Sequence, residues 1–256
     1  MTNVGKIPNL IDPMEKCATC PIRHQAVCSY SSPAELSLLD KAKFYRTYEP
    51  GQTIVAEGEP TQALGSLVTG VVALHKSLED GRRQMVGLMF PSDFIGRPMR
   101  TLAPYDAVAV TDVKMCMFHR SQFERIMSDS RALEHRVLEM TLDELDAARE
   151  WMVLLGRKTA RERLASFLMI LADRQANLLK RRPENGMTIP IPLTREAIAE
   201  FLGLTIETVS RQFTGLRKDG IVGLPDRRSF VLDDLEELRQ MAGDDDDPDE
   251  PNSAVI

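Results

Sequence analysis

The chain has 256 residues, enough for one large domain or two ordinary ones, and its hydrophobic share of 43% supports packed cores. It has neither an apolar run long enough to span a membrane nor a leading signal pattern, so we expect a cytoplasmic protein without a membrane partner. The net charge of −6 hides a gradient, because residues 157–230 carry 14 Lys and Arg against 8 Asp and Glu, whereas residues 231–256 carry 1 against 10. Such a basic segment fits nucleic-acid binding, and it equally fits a solvated surface.

Residues 1–30 contain three of the four cysteines, Cys17, Cys20 and Cys28, and show little apolar periodicity. A segment with so little core of its own is expected to need a bound metal to become ordered. In a reducing cytosol, cysteines are more often metal ligands or redox thiols than structural disulfides. We therefore treat residues 1–30 as a cysteine-rich segment that binds a metal centre.

Residues 31–120 are the next predicted unit, and from residue 45 they have the pattern of β structure. Short apolar runs alternate there with glycine-bearing turns. The runs span 53–56, 67–74, 85–90, 107–110 and 113–118, and Asp80-Gly81 is a hairpin signal. Many short strands in series predict a small barrel or jelly roll.

Residues 121–158 change to helical spacing, with a short helix expected near 122–127 and a long one over about 131–156. The long helix carries a narrow apolar stripe, made of Leu138, Leu142, Leu145, Ala148, Met152 and Leu155, with acidic flanks at Glu139, Asp143, Glu144, Asp146 and Glu150. A narrow stripe is typical of a coiled-coil seam, so we expect this region to form a homodimer interface. The acidic flanks would repel each other across this interface and keep the dimer of the metal-free protein marginal. The alternative is a helix packed on its own domain.

Residues 159–241 have the pattern of a winged helix-turn-helix. Three helices are predicted, each opened by a capping threonine: 160–179 after Thr159, 195–202 after Thr194, and 206–219 after Thr205. Gly203 turns the chain between the last two. Apolar runs at 221–222 and 229–232 predict a β-hairpin wing. A last helix is expected to begin at Asp233, and residues 242–256 are expected to be a disordered acidic tail.

The second helix of the helix-turn-helix is expected to expose Glu207, Ser210 and Arg211 near its start. At that place a recognition helix reaches base edges in the major groove. Arginine can donate two hydrogen bonds to guanine, glutamate can accept one from cytosine, and serine can serve either edge. Four further cations are placed for the phosphates of double-stranded DNA: Arg195, Lys218, Arg227 and Arg228. The alternative for Glu207 and Arg211 is that they pair only with each other on the helix surface.

The four cysteines suit either of two metal centres, an iron–sulfur cluster or a zinc ion. Cys17 and Cys20 can chelate one edge of the centre, Cys28 follows after seven residues, and Cys116 lies in a predicted strand. Four thiolates can bind a [4Fe–4S] cluster or a zinc ion. Because zinc sites more often use two close pairs of cysteines, and this chain has one, the spacing favours the cluster. Cys116 taken alone is more typical of a buried unreactive thiol. A thiol oxidoreductase would need a βαβ unit that is not visible, so we expect no enzyme.

The order of β-roll, long helix and winged helix-turn-helix resembles the CRP/FNR transcription regulators over about residues 10–240. The most specific matches are Cys17-x-x-Cys20-x₇-Cys28 with Cys116, and Glu207-x-x-Ser210-Arg211. They resemble the FNR-type oxygen-sensing regulators. The resemblance implies an α+β fold with an N-terminal jelly-roll-like sensor domain, a long dimerisation helix and a C-terminal winged helix-turn-helix.

The same resemblance implies a mechanism. One [4Fe–4S] cluster per subunit would be held by the four cysteines, and oxygen would destroy it. The loaded homodimer would bind TTGAT-N4-ATCAA-like palindromes when oxygen is scarce. It would then contact RNA polymerase and activate or repress transcription.

Cyclic-nucleotide binding is the competing interpretation of the roll, because relatives that bind cyclic AMP use the same fold. Their site resembles Gly-Glu followed by Arg-Ser/Thr-Ala. In this chain no Glu follows Gly96, and the partial match Arg100-Thr101 stands too close to that glycine. We therefore expect the roll to be a scaffold with no cyclic nucleotide.

Overall fold

A computed structural model of the chain describes residues 16–243. The first half of the predicted cysteine-rich segment, and the predicted acidic tail from residue 244 onward, lie outside the described residues. The described chain begins with a 3₁₀ turn at Cys17–Thr19 and continues into α1 (Pro33–Ala42). None of the helices between residues 16 and 243 is long and apolar enough to cross a membrane.

The N-terminal part is a roll of two four-stranded antiparallel sheets, which confirms the predicted jelly-roll-like fold. The first sheet has the order β1-β8-β3-β6 and the second has the order β2-β7-β4-β5. The strands are β1 (Lys43–Tyr48), β2 (Thr53–Val55), β3 (Ala63–Thr69), β4 (Val72–Ser77), β5 (Arg83–Met89), β6 (Phe94–Ile95), β7 (Asp106–Ala109) and β8 (Val113–His119). Leu67 and Met115 of the first sheet pack against Val72 and Ala107 of the second, and this layer forms the core of the roll.

The apolar run over 67–74 belongs to two strands, because the chain reverses within it at Gly70. Gly70 has a φ of +95°, and a Cβ on it would lie 2.3 Å from the carbonyl oxygen of Asp112. Only glycine tolerates that conformation and that close approach, so the run is divided between β3 and β4. The predicted hairpin turn at Asp80-Gly81 is confirmed between β4 and β5.

Helix α1, and strand β1 at the start of the predicted β region, were not among the predicted elements. Helix α1 is opened by a capping box in which Ser32 accepts from the amide of Glu35 and Glu35 accepts from that of Ser32. Strand β1 shows no regular alternation of buried residues, although it pairs with β8 along its whole length. The cysteine-rich segment packs on the roll instead of forming a core of its own, because Ile22 and Ala26 are buried against Val68.

Two helices follow the roll, α2 (Arg120–Ser128) and the long α3 (Arg131–Arg157), close to the predicted bounds. One face of α3 packs on its own chain, where Trp151 is buried and its ring lies 4.1 Å from that of Phe201. The apolar stripe lies mostly on another, exposed face. Both sequence interpretations of this helix therefore apply, each to a different side.

The C-terminal part has the predicted winged helix-turn-helix. Its elements are α4 (Ala160–Leu178), β9 (Thr188–Pro190), α5 (Arg195–Leu202), α6 (Ile206–Lys218), β10 (Val222–Gly223), β11 (Ser229–Leu232) and α7 (Leu235–Ala242). Thr159, Thr194 and Thr205 cap their helices as predicted. Two details differ: strand β9 pairs with β11 and adds a third strand to the wing, and Asp234, not Asp233, caps α7.

The roll contacts the C-terminal part directly through the β4–β5 hairpin and α5. Met85 and Leu88 belong to the same apolar cluster as Trp151 of α3. Beside this cluster the buried His75 lies between two side chains of opposite charge. Its Nδ1 is 3.4 Å from Oε1 of Glu200 on α5, and its Nε2 is 3.2 Å from Nη2 of Arg83.

Candidate functional site

Helix α6 presents a polar surface because its apolar residues face α5. Val209, Phe213 and Leu216 are buried in the C-terminal core, as their spacing of three and four residues requires. Glu207, Ser210 and Arg211, the residues predicted to read bases, are all exposed. The exposed side of α6 therefore carries one acceptor, one hydroxyl and one guanidinium near the start of the helix.

The alternative that Glu207 and Arg211 only neutralise each other is not seen, since no ion pair joins them in the described part of the chain. Hydrogen bonds at the start of the helix lower the pKa of Glu207; the donors are its own backbone amide and the side chain of Thr205. Glu207 is therefore a carboxylate at neutral pH and can accept a hydrogen bond from a cytosine amino group.

The four predicted phosphate-binding cations differ in exposure. Lys218, Arg227 and Arg228 are exposed, whereas the guanidinium of Arg195 lies 3.3 Å from the ring centre of Phe213. Burial, and then the nearby charge of Arg227, lowers the pKa of Arg195 to about 10. The start of α5 and the wing therefore bring two positive charges close together, and an anion between them would relieve their repulsion.

The sheet β1-β8-β3 places Cys116 on the outer face of the roll. Its neighbours Met115 and Met117 are buried in the core of the roll, so the alternation of β8 turns Cys116 the other way. There it meets Cys17, Cys20 and Cys28, and all four predicted ligands line one cavity. The remaining lining residues are Ile22, Ala26, Val27, Leu39, Tyr45, Ser66 and Phe118.

The pKa values of three of the four thiols reflect this enclosure. Burial raises the pKa of Cys17 to about 12 and that of Cys28 to about 11, and it also raises the pKa of Cys116. The charge of at least one other cysteine raises the pKa of each of these three thiols further. Nζ of Lys43 lies 3.7 Å from Sγ of Cys17. Positive charge beside these three sulfurs would favour their thiolate forms, because it offsets the burial and their mutual repulsion.

No group of three or more His, Cys, Asp or Glu side chains among residues 16–243 is arranged to hold a single metal ion. The cavity also holds a buried polar atom, the Oγ of Ser66, which has no hydrogen-bond partner in the described structure. Four thiols and an unsatisfied hydroxyl in an otherwise mostly apolar cavity fit a thiolate-bound inorganic group.

The segment that carries three of these cysteines also contacts the helices α3 and α4. Arg136 of α3 donates a 2.6 Å hydrogen bond to the carbonyl oxygen of Gln25, and its guanidinium lies 5.7 Å from the ring centre of Tyr30. Nε2 of His24 is 3.4 Å from the carbonyl oxygen of Asn177 in α4. These contacts could not be predicted from the sequence, because they join residues more than 100 positions apart.

The apolar stripe of α3 is largely open to solvent in the single chain. Leu138, Leu142, Leu145 and Met152 are 56%, 50%, 45% and 71% exposed. Ala148 is exposed as well, whereas Leu155 is half-buried against the C-terminal core. Among the acidic flanks, Glu139 pairs with Arg136 and Asp146 pairs with Arg149 on the same helix.

A β-roll joined by a long helix with an exposed apolar stripe to a winged helix-turn-helix defines a DNA-binding transcription regulator. Residues 162–241 match the Crp-like helix-turn-helix domain, and residues 45–130 match the cyclic nucleotide-binding domain. The chain belongs to the CRP/FNR family of transcription regulators. Its relatives regulate transcription and are not enzymes, and members of this family act as dimers on DNA.

Individual relatives agree with this membership. The chain is 51% identical to the transcriptional activator protein FnrL of Cereibacter sphaeroides, over 91% of this chain and 94% of that protein. It is 38% identical to the nitrogen fixation regulation protein FixK of Bradyrhizobium diazoefficiens, over 81% and 86%. The solved structure of FixK2 from Bradyrhizobium japonicum superposes with a TM-score of 0.70 at 33% identity, covering 78% of this chain and 96% of that one.

Proposed function

We propose that this chain is an oxygen-responsive regulator whose DNA binding depends on a [4Fe–4S] cluster, one per subunit, held by Cys17, Cys20, Cys28 and Cys116. The observation that carries the proposal is that these four cysteines, 99 positions apart at the extremes, line one cavity. When bound, the cluster supplies an oxygen-labile covalent link between the N-terminal segment and strand β8.

Contacts of the N-terminal segment with α3 and α4 would connect the cluster to the rest of the chain. While Cys28 and Cys116 are tied together, Gln25 stays beside α3 and accepts from Arg136. His24, the residue before Gln25, stays beside the end of α4. Without the tie, noncovalent contacts alone hold the segment, so α3 would lose a support near its N-terminal end.

The exposed stripe of α3 is the surface that we assign to the homodimer. Four half-exposed or exposed apolar side chains on one helix face are covered when a second copy packs against them. Asp143 and Glu144 border the stripe, and burial raises the pKa of both carboxyls. Their charge makes the association marginal, which lets a small change at the start of α3 decide whether dimers form.

The dimer would place two α6 helices roughly 34 Å apart, one turn of DNA, on a palindrome of the TTGAT-N4-ATCAA type. Glu207, Ser210 and Arg211 would then read bases, while Lys218 and the arginines of α5 and the wing would hold phosphates. Bound protein would contact RNA polymerase and activate or repress transcription according to its position. We propose no cyclic nucleotide in the roll, because Arg97 stands where a glutamate would follow Gly96.

The test is spectroscopy of protein purified without oxygen. We expect broad visible absorption, iron and acid-labile sulfide in equal amounts, and loss of all three in air. Cys116→Ser should remove the absorption, while Thr19→Ser, inside the Cys17-x-x-Cys20 motif, should leave it unchanged.

Two results would contradict the proposal in different ways. A colourless anaerobic protein that contains zinc would indicate a zinc-stabilised constitutive regulator. A full cluster spectrum in Cys116→Ser would show that the fourth ligand is another residue.

A further inference from the structure

Ser66 stands directly opposite Cys116 in the first sheet of the roll. The pairing of β3 with β8 aligns these two residues, and the side chains of opposite residues on one face have Cβ atoms about 4.5–5.5 Å apart. Leu67, the next residue of β3, points into the core of the roll, so Ser66 points to the outer face. The strand register therefore places its hydroxyl in the cysteine cavity, beside one of the four thiols.

The Ser66 hydroxyl has no partner that explains its burial. The side chain is 3% exposed, and its Oγ makes no hydrogen bond to any of the described residues. Its surroundings include the apolar side chains of Ile22, Ala26 and Phe118. A buried hydroxyl is normally hydrogen-bonded, so one that is unsatisfied and faces a cavity indicates that the acceptor arrives with the ligand.

We propose that the Ser66 hydroxyl donates a hydrogen bond to a sulfur of the bound group, either the Cys116 thiolate or an inorganic sulfide, and thereby slows its destruction by oxygen. The inference rests on the proposed cluster. Hydrogen bonds to the sulfurs are among the features that set the reduction potential of such clusters. Donation withdraws electron density from the sulfur, which makes the group harder to oxidise. Ser66 is thus a residue that tunes oxygen sensitivity without being a ligand.

The decisive variants are Ser66→Thr and Ser66→Val, because threonine and valine have nearly the same shape and differ by one hydroxyl. Each protein is loaded to equal iron content without oxygen and mixed with air-saturated buffer, and the visible absorption is followed. Removal of a hydrogen bond to a metal ligand typically lowers metal affinity or activity by about 10–100-fold. Ser66→Val should therefore lose its absorption about tenfold faster than Ser66→Thr. Ser66→Ala should resemble the valine variant.

A matched control is Ser92→Ala, which removes another buried hydroxyl without a hydrogen-bond partner among residues 16–243, away from the cysteine cavity. It should keep the wild-type rate. A second readout is the iron–sulfur stretching frequency by resonance Raman spectroscopy, which should shift in D₂O for wild type and Ser66→Thr and not for Ser66→Val.

Equal rates and equal D₂O shifts in the threonine and valine variants would overturn the role of Ser66 while leaving the cluster in place. A wild-type protein that never acquires a cluster would instead overturn the proposed function, and the Ser66 inference with it.

Discussion

Replacement of Leu145 by aspartate should convert the anaerobic dimer to monomers. Leu145 is 45% exposed in the single chain, at the middle of the stripe. Complete burial of a leucine side chain is worth about 1.5–3 kcal/mol, so covering the remaining half is worth about 1 kcal/mol. Because a two-fold axis places the residue in the interface twice, the loss of apolar burial is about 2 kcal/mol for each dimer.

The introduced charge adds to this loss. Two carboxylates would enter an apolar seam already bordered by Asp143 and Glu144, and burial of an unpaired polar group costs at least about 1 kcal/mol each. The total of about 4 kcal/mol corresponds to a dimer dissociation constant about 1,000-fold higher. The assay is anaerobic sedimentation velocity over a range of concentrations.

The matched control is Leu38→Asp, because Leu38 is 53% exposed but lies on α1, away from the stripe. This variant should dimerise like the wild type. An unchanged dissociation constant in Leu145→Asp would refute the assignment of the stripe as the interface.

Three further predictions concern DNA reading, coupling and pH. Arg211→Ala should lose about 1–3 kcal/mol of preference at the guanine of the half-site, whereas Lys218→Ala should weaken all sequences alike and lower the salt slope by roughly 0.9 per contact; an even loss with Arg211→Ala across single-base operator variants would make Arg211 a phosphate contact. Arg136→Ala should make the monomer–dimer equilibrium insensitive to air, and Arg131→Ala, on the same helix, should not; a normal air response in Arg136→Ala would place the coupling elsewhere. The pKa of His75 is lowered, chiefly by burial and then by the charge of a neighbouring guanidinium. As pH falls below about 6.5 the unfolded chain therefore binds a proton that the folded chain does not, so stability falls. The free energy of unfolding in urea should drop between pH 7.5 and 5.5 more in wild type than in His75→Gln, and equal drops would contradict this reasoning.

Local signals in the sequence were sufficient to predict most helices. Thr159, Thr194 and Thr205 each place a side-chain oxygen where a helix start needs an acceptor, and each caps its helix. The exposed position of Arg211 follows from the same spacing that buries Val209 and Phe213. These features depend on neighbours within a few residues, so a single sequence contains the information.

Features that depend on strand register could not be predicted. Nothing near Ser66 in the sequence indicates that it faces Cys116, since the pairing of β3 with β8 joins residues 50 positions apart. Strand β1 lacks alternation because both of its faces are partly covered, one by the roll and one by the cysteine cavity, so its pattern did not indicate a strand.

The central claim, that oxygen controls DNA binding through the four cysteines, is tested most directly by one titration performed twice. A labelled duplex with a TTGAT-N4-ATCAA site is titrated with anaerobic protein by fluorescence anisotropy, and again with the same sample after exposure to air. Coupling between two sites typically changes affinity by about 5–150-fold, so binding should weaken by up to about a hundredfold in air, and Cys116→Ser should bind weakly in both titrations. Equal affinity before and after air, in a sample whose visible absorption has disappeared, would contradict the account.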